Sequence, residues 1–352
     1  MKVAIDAQLA VGTATGIGEF VRGLIEALQA RGCDIVPLSE PKLDPWRFDR
    51  RVLWDQIMLP QRARLSGADV LHCASGTMPL TAALPIVVTV HDVAWLRVQA
   101  HAKPYARYYF GKFSVDRYRS AAAIAVDSAF SRRELLELVP DVDPARVSVV
   151  YPGVANDFCA LDRAGGDGRT ILIVGTVERR KNIEAIIEAL PSLPGARIVS
   201  VGPFTPYQEE CAEKAEMLGV SDRVEFRGYI ERAELLALYA TSAVVAVPSR
   251  YEGFGYAAAQ ALCAGTPVVV SDQASLPEVA GDDGRIVPLE SADGWVTALH
   301  NALDGKDDDH ARAVRRRSIE RFAWDKSAAD MSAIYESVVL APAWEQGSAL
   351  SP

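Results

Sequence analysis

Short apolar runs, rich in β-branched residues, recur along this chain with amphipathic stretches of helical period between them. The runs fall at 2–6, 69–73, 86–90, 122–126 and 147–151, and again at 170–175, 197–201, 223–226, 243–247, 268–271 and 285–287. Most are continuous rather than alternating, the pattern of strands covered on both faces. Alternation with helices predicts parallel sheets built from βαβ units, an α/β fold.

The two series are separated by residues 160–169, ALDRAGGDGR, a polar stretch with three glycines and no periodicity. It reads as a linker. At 352 residues the chain exceeds what one hydrophobic core usually serves, so two domains are expected, 1–164 and 165–325, each doubly wound and Rossmann-like. In open parallel sheets ligands bind beyond the carboxyl ends of the strands. Two such domains facing each other would form a cleft, so the loops that follow strands are where chemistry is expected.

Composition excludes several classes. No apolar run approaches the ~20 residues that span a bilayer, and the N-terminus MKVAID reads as a first buried strand, not a secretion signal. The five cysteines are scattered without metal-ligand spacing, which fits a reducing cytoplasm and small buried hydrophobes. Residues 1–165 carry 19 basic and 18 acidic residues, so the net charge of −9 lies in the second half. A nucleic-acid partner, which favours a broad basic surface, is not expected. Between Arg97 and Arg119, however, six basic residues interleave with six aromatic ones against a single acid, Asp116. This segment suits contact with an anionic membrane or a polyprenyl-diphosphate acceptor. Alternatively Tyr105, Tyr109 and Phe113, four apart, form the buried stripe of a helix.

The strongest functional signal follows the run 243–247. It reads Pro248-Ser249-Arg250-Tyr251-Glu252-Gly253-Phe254-Gly255-Tyr256 and leads into a helix. Its glycines allow close backbone approach to a ligand, and a new helix offers unpaired N–H groups and a positive dipole end suited to a diphosphate. Glu252 can accept hydrogen bonds from sugar hydroxyls. Gln260 lies eight residues on, about 12 Å along the element, roughly the span from a sugar across a diphosphate to a ribose.

This segment resembles the Glu–seven residues–Glu motif of the family-4 retaining glycosyltransferases, which have the GT-B fold. In that family the first Glu contacts the donor sugar and the second the ribose hydroxyls. Here the second position is Gln260, which still donates and accepts but lacks charge assistance worth on the order of 1–2 kcal/mol. Ala257 also departs, standing where relatives usually carry Pro. Val174-Gly175-Thr176-Val177-Glu178-Arg179-Arg180-Lys181-Asn182 is similar to the family's donor-phosphate loop, with Lys181 matching its phosphate-binding Lys and Arg180 the Arg beside it. Thr176 stands where many relatives have another Arg. Phe226-Arg227-Gly228-Tyr229-Ile230 resembles the loop that meets the nucleobase, which brings in Tyr229. Val88-Thr89-Val90-His91-Asp92 matches the family's active-site His at His91. The glycine loop that contains Gly16 and Gly18 resembles the first-domain loop lying against donor phosphates and acceptor. It does not fit the spacing of a dinucleotide fingerprint. The segments 271–278 and 322–325 also look like the family.

The resemblance implies a C-terminal helix, about 326–345, crossing back to the first domain. It implies retaining transfer of a sugar from a nucleoside diphosphate to a saccharide or lipid-linked saccharide hydroxyl. Lys181, Arg180 and the amides of Phe254, Gly255 and Tyr256 would stabilise the charge growing on the leaving phosphate. No acidic pair is evident as a metal site, so neither metal nor cofactor is expected beyond the nucleotide-sugar cosubstrate. The subgroup features look most like bacterial mannosyltransferases of surface-polysaccharide assembly. That favours GDP-mannose, with other GDP- and UDP-sugars as alternatives. The cysteines and the Arg97–Arg119 segment lead to the expectation of a cytoplasmic enzyme peripheral to the inner face of a membrane. The alternatives are a sugar-nucleotide epimerase of the same fold and a non-catalytic nucleotide- or carbohydrate-binding protein. Residues 37–66 carry no functional signal.

Overall fold

A computed structural model describes residues 1–11, 16–97, 104–163, 165–306 and 308–341, without the side chains of Trp95 and Arg316. The chain divides into two units. The first is Met1–Gly153 together with the segment that begins at Ala323, and the second is Val154–Phe322.

Among the described residues of the first unit, six strands form one parallel sheet: β1 (Lys2–Asp6), β2 (Asp34–Leu38), β3 (Val70–Cys73), β4 (Ile86–Val90), β5 (Ala123–Val126) and β6 (Val147–Val149). Their order is β2-β1-β3-β4-β5-β6. Strands β3, β4 and β5 are buried along their whole length, as their unbroken apolar runs require. Strand β2 is an addition to the sequence reading. It is an edge strand, partly exposed and interrupted by Pro37, so its apolar signal is weak.

The helix Trp324–Leu340 packs on the helix Gly16–Ala30 within this unit. Its seat is made by two glycines. A Cβ on Gly23 or on Gly153 would stand 2.2 Å from the Trp324 indole, so only glycine leaves room for the ring. Farther along, the Tyr335 hydroxyl bonds the buried His72 Nδ1 at 2.7 Å. The last part of the expected 326–345 helix, beyond residue 341, lies outside the described residues, as do Lys103 of the basic-aromatic segment and residues 12–15 of the glycine loop.

The second unit repeats the plan with β7 (Thr170–Val174), β8 (Arg197–Val201), β9 (Val224–Gly228), β10 (Val244–Val247), β11 (Val268–Ser271) and β12 (Arg285–Val287). The order is β12-β11-β10-β7-β8-β9, all parallel among the described residues. The chain winds one way from β7 and the other way from β10, so the topological switch lies between these two neighbours.

The second unit begins before the polar segment 160–169. Phe158, fully buried, meets the Tyr239 ring edge to face at 5.0 Å. Arg163 reaches into the unit and donates to the carbonyls of Ala240 (3.0 Å) and Ser242 (2.8 Å) and to Asp308. A stretch that is polar and glycine-rich in sequence is thereby anchored in the second unit by a buried guanidinium, and the Asp167 amide adds a bond to the Thr241 carbonyl.

Candidate functional site

The switch point brings two loops together. One follows β7 and turns through Arg179–Lys181 to Asn182, whose left-handed backbone (φ 54°) opens the helix Ile183–Ala189. The other follows β10 and ends at Gly255, which precedes the helix Tyr256–Ala264. Gly255 has φ 95°, and a Cβ there would stand 2.8 Å from the Leu276 side chain. Backbone conformation and space both call for glycine.

Glu252 links the two loops. Its Oε1 accepts from Lys181 Nζ at 2.6 Å and from Ser249 Oγ at 2.7 Å, and its Oε2 accepts from Arg180 at 3.1 Å. The same guanidinium donates to the Tyr251 carbonyl, and the Arg250 amide donates to the Arg180 carbonyl at 2.7 Å. Beneath the loop, the buried Ser275 hydroxyl bonds the Glu252 and Phe254 carbonyls, both at 2.9 Å. Burial by itself would raise the Glu252 carboxyl, but Lys181 and Arg180 outweigh it and hold the pKa down at about 2. Arg180 also pairs with Glu178 at 2.8 Å. Two cations thus face two carboxylates, and the cluster carries little net charge of its own.

The remaining expected residues of this unit are placed as follows. Phe254 is buried, its ring edge-on to those of Tyr256 and Phe322. Tyr256 opens the helix beside Gly255. Gln260 is one turn farther along and buried, its Oε1 accepting from the Tyr239 hydroxyl at 3.0 Å. Tyr239, Ser249 and Ser275 carry no role in the sequence reading. Tyr229 follows β9 and Gly228 and is exposed.

In the first unit, His91 closes β4, between β3 and β5 in the sheet. Each neighbour supplies one partner. Nδ1 lies 2.7 Å from Asp127 Oδ2, just after β5, and Nε2 lies 3.0 Å from the Ala74 carbonyl, just after β3. Phe20 meets the ring edge to face at 4.9 Å. Asp127 was not singled out from sequence, although its place directly after a strand was a usable signal. Gly16 begins the Gly16–Ala30 helix with open space where a Cβ would stand, and Gly18 is buried two residues on.

A second polar cluster sits at the carboxyl end of β1. Asp6, Arg51 and Asp55 are all buried. Arg51 pairs with Asp55 at 3.0 Å and with Asp6 at 3.6 Å, and it bonds the Thr77 hydroxyl at 2.6 Å. Trp54 donates to Asp6 and Tyr109 to Asp55, each at 2.9 Å. Residues 51–55 fall in the stretch that had no functional signal. A charged i, i+4 pair is ordinarily a solvated helix face, and nothing in the sequence marks this one as buried.

The model for "Glycosyltransferase Family 4" matches residues 14–158, and that for "Glycosyl transferases group 1" matches residues 163–321. The chain belongs to the family-4 glycosyltransferases. Among relatives of this family member, the D-inositol 3-phosphate glycosyltransferase of Mycobacteroides abscessus is 29% identical over 72% of this chain and 60% of its own length. The MMP alpha-(1->4)-mannosyltransferase of Mycolicibacterium hassiacum is 30% identical over 72% of this chain and 66% of its own. The match therefore spans about two thirds or less of the length of these relatives. Anabaena HepE, solved with UDP and glucose, superposes with a TM-score of 0.71 at 15% identity, over 96% of this chain and 100% of that one. That likeness identifies the fold of this family member as GT-B.

Proposed function

We propose that this protein transfers a sugar, with retention of anomeric configuration, from a nucleoside-diphosphate sugar to a hydroxyl of a saccharide or lipid-linked saccharide. The observation that carries the proposal is the Lys181–Glu252–Arg180 cluster at the switch point, beside the start of the Tyr256–Ala264 helix. Glu252 takes the donor sugar and holds the two cations in place. Lys181, Arg180 and the amides of Phe254, Gly255 and Tyr256 take the diphosphate and stabilise its charge as the glycosidic bond lengthens. These groups supply the charge that a divalent ion would otherwise bring. Because Glu252 and Glu178 already neutralise the cations, an incoming diphosphate gains mainly from the helix N-terminus and from cations that turn toward it. Gln260 takes the ribose, Tyr229 the base, and Gly16 and Gly18 line the approach of the substrates. His91 serves the sugar-transfer step.

The transition state carries positive charge on the sugar ring. No carboxylate among the assigned residues is placed as a covalent nucleophile, so the front-face route is proposed, in which the leaving phosphate takes the acceptor proton. Mannose, and GDP-mannose as donor, are favoured by the subgroup resemblance and by the mannosyltransferase among the relatives.

Among the described residues no helix is long and apolar enough to cross a membrane. We propose instead that the first unit touches an anionic membrane from the cytoplasmic side. Trp46, Tyr105 and Tyr108 are exposed there, Tyr105 packs on Phe48, and Arg107 and Lys112 belong to the same segment.

The test is product analysis with a panel of nucleotide sugars and saccharide acceptors. Acceptor-dependent product with the donor's anomeric configuration supports the proposal. Conversion of the nucleotide sugar without acceptor would identify an epimerase, and binding without turnover a non-catalytic receptor.

A further inference from the structure

With Asp127 ionised, the two hydrogen bonds of His91 call for two ring N–H groups. A backbone carbonyl only accepts, so the Nε2 that faces the Ala74 oxygen carries hydrogen. Asp127 faces Nδ1 at 2.7 Å, and an ionised carboxylate also only accepts. A neutral imidazole has one N–H, and this ring meets two acceptors.

Burial opposes the ionised pair on both sides: it raises the Asp127 carboxyl, against which His91 pulls it down, and it opposes charge on the ring. Asp127 and the adjacent Asp92 are the acids that bear on the ring. The nearby His72 is fully buried, and burial lowers its pKa to about 3, so it brings no positive charge. Its own nitrogens are taken by the Thr89 and Tyr335 hydroxyls. Phe20 adds an uncharged ring edge. Burial alone would drive the proton off His91, but Asp127 reverses this and the pKa is raised. The second oxygen of Asp127, Oδ1, is buried without a hydrogen-bond partner among the described residues. The carboxylate therefore depends on His91 for its compensation.

We propose that Asp127 is a positioning residue that keeps His91 doubly protonated, so that His91 acts on the reacting substrate as a cationic hydrogen-bond donor and not as a base. Asp127 is the fixed partner. The Ala74 carbonyl is the exchangeable one, whose place at Nε2–H a substrate oxygen takes. The catalytic part of this proposal rests on the reading of His91 as a residue of the sugar-transfer step.

The experiment is an imidazole nitrogen–proton titration of the full-length protein by NMR, with the His91 signal assigned through His91→Ala. Wild type is expected to show both ring nitrogens protonated at neutral pH. Asp127→Asn is expected to deprotonate at least about one pH unit lower, and Asp127→Glu to restore most of the shift. The alkaline limb of kcat/KM should move in parallel, with kcat reduced at least about tenfold and donor KM little changed. A wild-type ring with a single N–H at neutral pH overturns the proposal, whether or not the Asn variant folds. A doubly protonated ring in a protein whose His91→Ala variant transfers sugar normally overturns the catalytic part while leaving the dyad intact.

Discussion

Lys181 Nζ and Glu252 Oε1 stand 2.6 Å apart, so the side chain assigned to the donor phosphate and the one assigned to the donor sugar are bonded to each other. The loops that carry them follow β7 and β10, which are adjacent in the sheet although they lie 70 residues apart. Removing Lys181 leaves the buried Glu252 with Arg180 as its remaining cation, and removing Glu252 takes from Lys181 its ion-pair partner. Lys181→Ala, Glu252→Ala and His91→Ala are each expected to lower transfer at least about 100-fold, ~2.7 kcal/mol of transition-state stabilisation, in a folded protein. The Lys181→Ala, Glu252→Ala double variant should lose far less than the product of the two single effects. Independent, multiplicative losses in steady-state kinetics would show that the two side chains do not act as a unit.

The same pair gives an acid-sensitivity prediction. Glu252 has a folded pKa of about 2 against an ordinary 4.5. A depressed carboxylate contributes stability that is complete above the unfolded pKa and is lost as pH falls toward the folded one. The contribution, on the order of 3 kcal/mol, should be present at neutral pH and decline between about pH 4.5 and 2. Denaturant titrations of wild type and Glu252→Gln across this range should converge as pH falls. A constant gap between them would contradict the assignment.

Tyr239 and Gln260 offer a separate test. Because the Tyr239 hydroxyl donates to Gln260 Oε1, the amide presents its N–H groups on its other side. Tyr239→Phe leaves a buried acceptor without its donor, a penalty of about 1–3 kcal/mol. It is expected to weaken nucleotide binding several-fold. Gln260→Glu restores a charged acceptor that Tyr239 can still serve, and is expected to tighten binding. Calorimetry in which Gln260→Glu is unchanged or weaker would show that this position does not hold the ribose.

Much of the candidate site was legible because strand ends are legible. Continuous runs such as 86–90 and 243–247 locate buried parallel strands, and the residues after them, His91 and Glu252, follow from that placement. What was not legible came from across the sheet. The partners of His91 lie at the ends of two other strands, 17 and 36 residues away, and only the strand order brings them together. The Arg51–Asp55–Asp6 cluster was hidden for a different reason. Its charges read as solvent-facing until packing of Trp54 and Tyr109 encloses them. Strand β2 escaped because an edge strand needs no unbroken apolar run.

The exposed aromatic residues of the first unit predict lipid dependence. Tyr109 and Phe113 are stacked on each other at 5.3 Å and belong to the packing, whereas Tyr105 and Tyr108 are turned outward. Cosedimentation with vesicles should be stronger for anionic than for neutral lipid, weaken with salt, and fall in a Tyr105→Ser, Tyr108→Ser variant. Equal and negligible binding to both kinds of vesicle would end the membrane proposal.

The Lys181–Glu252–Arg180 cluster and the helix beside it are proposed to bind the diphosphate of a nucleotide sugar. The most direct test is calorimetric titration of GDP, UDP, ADP and TDP, each alone and as its sugar, into wild type and Lys181→Ala. One nucleotide family is expected to bind wild type, with GDP favoured, and Lys181→Ala to lose at least about tenfold in affinity, ~1.4 kcal/mol. Nucleotide binding that is undiminished in Lys181→Ala would place the donor elsewhere and contradict this proposal.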